Sequence, residues 1–159
     1  MSFLPTEPNS PLAFLNLDET FLNSYGISID TFWLKNIDYL HFHDYFQLYY
    51  TLKGKYVHTI NGESKVCKPG DVSLIMPYTV HQTDTRESDI ENTFVITISL
   101  LPKFFTQNKI PFSPLTYKES VYKNALIPTS LLLQGADKDK ADSVIEEIYL
   151  EYQKHSGML

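Results

Sequence analysis

The chain has little of what several classes of function require. It contains a single cysteine, Cys67, in 159 residues. No intrachain disulfide can form, and a lone thiol fits a reducing compartment and an inert packing role. Basic residues are scarce and scattered. Thirteen Lys and Arg face nineteen Asp and Glu, giving a net charge of −6, which argues against this chain gripping a phosphate backbone by itself. No apolar run approaches the roughly 20 residues that cross a bilayer. The N-terminus lacks the charged head and apolar stretch of a signal peptide, so the expected location is the cytoplasm. Internal repeats, low-complexity blocks and composition-biased linkers are also missing, and 18.4 kDa is too small for two substantial cores. One domain is expected.

Aromatics, in contrast, are plentiful: eleven Tyr and ten Phe within a 43% hydrophobic composition, as in a packed globular protein. The opening MSFLPTEPNSPLAFL places prolines at 5, 8 and 11 among apolar anchors, so residues 1–28 read as an irregular arm lying over the domain. Residues 29–100 form the core. There, short β-branched and aromatic runs alternate with turn residues, predicting strands near 29–35, 45–53, 55–60, 63–67, 71–76 and 92–100. In KYVHTINGESKVCK, Asn61-Gly62 supplies the two positive-φ residues of a type I′ hairpin, with Thr59 opposite Ser64 and Val57 opposite Val66. Pro69-Gly70-Asp71 marks another turn. Residues 101–159 complete the chain with a short amphipathic piece, PKFFTQ, proline-broken segments, and a helix at about 138–155. Ala141, Val144, Ile145, Ile148, Tyr149 and Tyr152 recur along it at helical spacing.

The stretch HFHDYFQLYY, residues 41–50, carries the chemistry. On extended chain, His41, His43, Gln47 and Tyr49 share a polar face, while Phe42, Phe46, Leu48 and Tyr50 share an apolar one. Two imidazoles one residue apart suit a metal site, a ligand pocket or a solvated surface. The apolar face needs a cover, and the arm, the Phe104-Phe105 segment and the tail helix are candidates. Whether Tyr56 and His58 line the same pocket depends on which face of the hairpin looks inward. Trp33 is a candidate for stacking on a ligand or for the core.

His41, His43, Gln47 and Gly54, followed by Gly70, Pro77 and His81, resemble the two motifs of the cupin barrels, with Gln47 where those proteins carry Glu. The order HFHDYFQLYYTLKG, a hairpin ending in ING, then KPGDVSLIMPYTVHQT is most similar to the N-terminal sensor and dimerisation domain of AraC-type bacterial transcription regulators. That resemblance spans residues 29–100 and, with the tail helix, most of the chain. It implies a mainly β fold, an antiparallel double-stranded β-helix (a cupin or jelly-roll barrel) with a C-terminal α-helix. It implies an effector such as a sugar held by His41, His43, Gln47, Tyr49, His81 and Trp33, and no catalysis. It also implies a homodimer paired through Val144, Ile145, Ile148, Tyr149 and Tyr152. DNA would be met only through a helix-turn-helix domain outside this chain, which makes the chain the sensor part of a longer regulator or a stand-alone relative. No cofactor is required by this reading. The alternative is a small metal-dependent oxygenase or isomerase, with a divalent metal on His41, His43 and His81.

Overall fold

A computed structural model describes residues 12–14, 26–32, 40–84, 92–107 and 130–156. Its strands are β1 (Ala13–Phe14), β2 (Ile27–Phe32), β3 (His41–Phe42), β4 (Phe46–Lys53), β5 (Tyr56–Ile60), β6 (Glu63–Cys67), β7 (Asp71–Ile75), β8 (His81–Asp84), β9 (Phe94–Leu100) and β10 (Ser130–Leu132). Among the described residues there are two helices, α1 (Pro102–Gln107) between β9 and β10 and the long α2 (Gly135–Ser156) after β10. The strands form two five-stranded sheets, ordered β1-β3-β8-β5-β6 and β10-β7-β4-β9-β2. Every pairing is antiparallel except that of β1 with β3. This is the jelly-roll arrangement expected from the sequence.

Turn chemistry sets the register. Asn61 and Gly62 have φ of 50° and 85°, so β5 and β6 pair as expected, Thr59 with Ser64 and Val57 with Val66. Asp71 anchors the Pro69-Gly70 turn from inside: one carboxylate oxygen accepts the Lys68 N–H at 2.8 Å and the other accepts Lys65 Nζ. That carboxylate is buried, and Lys65 compensates its charge. Gly54 and Gly70, with φ of 77° and 91°, sit where backbone crowds backbone. A Cβ on Gly70 would meet Leu133 O at 2.4 Å, and one on Gly54 would meet the Thr93 Cα at 2.5 Å. Only glycine fits either place.

The alternation along β4 separates two cores. Inward, Tyr49 packs with Tyr56, Cys67, Ile75 and Val95. Outward, Leu48 and Leu52 join Ile29, Ile96 and Ile98 beneath Ile145, Tyr149 and Tyr152 of α2. Phe46 meets Phe105 of α1 edge to face, with centroids 5.4 Å apart, and the Tyr50 hydroxyl donates to Asp142 of α2. The apolar face of HFHDYFQLYY is therefore covered by α1 and α2, two of the anticipated covers. Each such apolar side chain taken from water contributes about 1.5–3 kcal/mol. Helix α2 begins three residues before the expected 138, at Gly135, and runs to Ser156. Cys67 is buried and its thiol is pushed up by that burial, the state of an unreactive packing cysteine. Among the described residues, no helix is long and apolar enough to cross a membrane.

Four strands lie outside the predicted runs: two are two-residue strands, Ala13–Phe14 in the arm expected to be irregular and His41–Phe42, and the other two escape the sequence pattern. His81–Asp84 buries His81 and Thr83 instead of hydrocarbon, so its inward face reads as polar. Ser130–Leu132 is a three-residue edge strand drawn from the proline-broken segment to pair with β7, too short to show a period.

Candidate imidazole cluster and its cavity

β3 and β8 pair so that His41 lies directly opposite His81, which puts their ring centroids 4.1 Å apart. His43 follows β3 at the bend into β4. Its ring stacks on Tyr45 at 3.9 Å, and its Nδ1–H donates to the Tyr45 carbonyl at 2.8 Å. His43 Nε2 then lies 3.1 Å from His81 Nε2. One nitrogen from each of His41, His43 and His81 falls within 4.8 Å of the others. All three rings are buried, with exposures of 2%, 0% and 0%.

A fourth imidazole belongs to the group. His58 enters from β5, where its neighbour across the ladder is Thr83 of β8. Its side chain reaches diagonally, placing Nε2 3.3 Å from His81 Nδ1. Tyr49 meets His58 edge to face, with centroids 4.6 Å apart. The hairpin face that looks inward is thus that of Tyr56 and His58, both 1% exposed. Sequence reasoning could not choose it, because the opposite face carries Val57 and Val66 and is equally apolar.

Burial decides the charge of these rings. Desolvation lowers His43 to about 4, against the Tyr45 carbonyl bond that favours the cation, and lowers His58 to about 3. The same desolvation, with repulsion from His41, His58 and His43, drives His81 lower still. At neutral pH these three rings are uncharged, each with one N–H and one lone pair. The proton positions then follow in order. His43 gives its N–H to the Tyr45 carbonyl, so its Nε2 accepts from His81. His81 Nδ1 in turn accepts from His58 Nε2–H, and the remaining His58 nitrogen, Nδ1, has no partner.

Gln47 faces the same interior: its amide donates to Ser99 Oγ at 3.3 Å, and its Oε1 is buried without a partner. Trp33 lies outside the described residues. A cavity of about 190 Å³ opens at the seam between the two sheets, walled by His58, Lys65, Ser73 and Ser130 with residues of the hairpin. His41, His43, Gln47, Tyr49 and His81 do not line it. His58 is shared by the cluster and the cavity.

The donor set fits a divalent metal of borderline character, for which neutral imidazole is the usual ligand. Ligands at right angles, each about 2.1 Å from a metal, stand roughly 3.0 Å apart. The Nε2 atoms of His43 and His81 have close to that spacing. Among the described residues the cluster contains no carboxylate; Gln47 holds the place of one and brings no charge.

Helix α2 separates the proposed pairing residues by role. Ile145, Tyr149 and Tyr152 pack on their own sheet, whereas Val144 and Ile148 are 43% and 37% exposed.

The family model described as AraC-like ligand binding domain matches residues 26–114, more than half the chain. A search of curated proteins found no match. Similar solved structures include an RmlC-like cupin from Shewanella frigidimarina, at 20% identity over 51% of this chain and 72% of that one, with a TM-score of 0.42. KdgF from Halomonas sp. is similar at 19% identity over 47% and 79%, with a TM-score of 0.36. Bacillus subtilis oxalate decarboxylase is similar at 17% identity over 74% of this chain, with a TM-score of 0.41. The match spans 37% of that decarboxylase chain.

Proposed function

The chain belongs to the AraC-like ligand binding domain family, and from that premise we propose that it is the effector-binding and dimerisation domain of a cytoplasmic transcriptional regulator. The effector is a small hydroxyl-rich molecule, such as a sugar, held in the barrel without chemical change. The observation that carries this reading is a buried cluster, joined to the seam cavity through His58, that is polar yet uncharged. His43, His58 and His81 are held neutral, and Gln47 Oε1, His58 Nδ1 and Thr83 Oγ1 are buried without hydrogen-bond partners. Buried polar atoms left unpaired cost about 1–3 kcal/mol each. A ligand that brings hydroxyl donors repays that cost.

Regulation then follows from differential binding. An effector whose contacts differ between two arrangements of arm and tail helix shifts the population between them. Strand β1, from the arm, pairs with β3 at His41, and α2 packs on the opposite sheet, so both moving parts touch the barrel. Val144 and Ile148 are the residues proposed to meet a second subunit. DNA would be contacted by a helix-turn-helix region outside this chain.

The test is thermal unfolding with a panel of aldopentoses and aldohexoses. One or more should raise Tm of the wild type, and His43→Ala and His81→Ala should lose that response while keeping the β-type circular dichroism spectrum. A response that survives both substitutions would move the site elsewhere.

A second reading is supported by the convergence of His41, His43 and His81, which fit a divalent metal. In that reading the chain is a metal-dependent oxygenase or isomerase: His41, His43 and His81 would hold the metal, which would supply Lewis-acid chemistry. The chain's own residues then hold and orient, since no carboxylate in the cluster is available as an acid or base. Consumption of a sugar or acid substrate by the Zn(II)-, Fe(II)- or Mn(II)-loaded protein would favour it.

A further inference from the structure

The hydrogen-bond chain through the four imidazoles has a direction, and that direction is incompatible with metal binding at one link. In the metal-free cluster His81 spends its single N–H on His43 Nε2 at 3.1 Å and receives His58 Nε2–H on Nδ1 at 3.3 Å. Coordination needs a lone pair on Nε2 of both His43 and His81. His43 already complies, because its proton is fixed on Nδ1 by the Tyr45 carbonyl at 2.8 Å. His81 does not. To free Nε2 it must carry its proton on Nδ1, and the group placed to accept that proton's hydrogen bond is His58 Nε2. Neutral His58 must then hold its own proton on Nδ1, the atom that now lacks a partner. A ligating histidine commonly donates its other N–H to an acceptor that fixes ring and tautomer, and a neutral imidazole can fill that role.

We propose that His58 is a positioning residue for a divalent metal on His41, His43 and His81, and that loading this site reverses the hydrogen bond between His58 and His81. This rests on the fit of the three histidines to a metal and is independent of whether a sugar is the effector. No net charge changes; the rings exchange tautomers. Because His58 also walls the seam cavity, the reversal converts one of the cavity's wall residues from a bearer of an unpaired acceptor into a bearer of an unpaired donor.

Two measurements on the whole chain decide it. Zn(II) affinity, read by competition with a chromophoric chelator, should fall 10- to 100-fold in His58→Phe, which cannot accept the bond. It should be largely kept in His58→Gln, whose amide oxygen can accept. Unaltered affinity in His58→Phe overturns the proposal. Long-range ¹H–¹⁵N spectra of wild-type imidazoles should place the His58 proton on Nε2 with chelator present and on Nδ1 with Zn(II). A proton that stays on Nε2 overturns it as well, and this arm stands even where His58→Phe does not fold. If wild-type protein takes up no Zn(II), the proposal fails while the sugar response remains a separate result.

Discussion

Acidification should destabilise this protein steeply in a window that carboxylates do not reach. In the unfolded chain a histidine titrates at 6.5, whereas His43 and His58 in the fold are lowered to about 4 and about 3 by burial. Between those values the unfolded state binds more protons than the folded one, so stability rises with pH and falls as pH falls. The contribution of each neutral ring is fully present above about 6.5 and is lost progressively down to its folded value. At pH 5 the unfolded state gains about 2 kcal/mol per histidine, from 1.36 kcal/mol for each unit below 6.5. Two rings give about 4 kcal/mol, and His81, lowered further, brings the sum to about 6 kcal/mol. That is comparable with the whole stability of many domains, 5–15 kcal/mol. Asp142 is the competing group: burial pushes it up, but the bonds from Lys138 and Tyr50 prevail and hold it below its ordinary 3.8. Its contribution survives until the pH drops under that figure. The assay is urea unfolding between pH 7.5 and 5.0 with a chelator present, following the midpoint at constant m. The midpoint should drop continuously below pH 6.5, and the slope should be reduced by about a third in His58→Gln. A midpoint that is flat from 7 to 5 would refute the claim that these rings are buried and neutral.

Three further outcomes follow from packing. Gly54→Ala should cost several kcal/mol or prevent folding, because the new Cβ would lie 2.3 Å from Thr93 Oγ1, while Gly62→Ala, with nothing within 4 Å, should cost only the roughly 1–2 kcal/mol of a positive φ; thermal melts of the pair separate crowding from backbone conformation. Ile145→Ala should lower unfolding free energy by about 2–4 kcal/mol through loss of its seat on the sheet, in a denaturant titration at fixed protein concentration. Ile148→Glu should leave the subunit fold intact and shift sedimentation toward monomer; an unchanged association state would remove Ile148 from the interface.

The parts of this architecture that were legible in sequence are those written in alternation and turn chemistry. Odd positions from His41 to Tyr49 face inward and even ones outward, a parity that survives the bend at residues 43–45. Asn61-Gly62 set the hairpin register to the residue. His41, His43 and His81 were recognisable by spacing, and the structure brings them together. What resisted reading was buried polarity. His58, Thr83 and Ser73 are almost completely enclosed, yet hydropathy assigns them to the surface, so β8 had no apolar signature and the fourth imidazole had no stated side. Val66 misleads in the opposite sense, being 59% exposed although it is the most apolar residue of its strand besides Cys67.

That inversion is itself informative about what the barrel is for. A core that only had to stabilise would fill positions 41, 43, 58 and 81 with hydrocarbon, avoiding unpaired atoms and the acid sensitivity worked out above. Here the hydrocarbon is concentrated outside, between β2, β4, β9 and α2, where Ile29, Ile96, Ile98, Leu48 and Ile145 pack together. The outer layer can supply stability while the inner layer keeps uncharged donors and acceptors in reserve. Such a division accounts for α2 having to rest on its own sheet: removing the helix would expose the very surface that compensates for the polar interior. Truncation before Gly135 should therefore cost more than the helix's own hydrogen bonds. It should yield a protein that binds apolar dyes and aggregates, whereas an intact, monomeric truncation product would show that the inner layer sustains the barrel unaided.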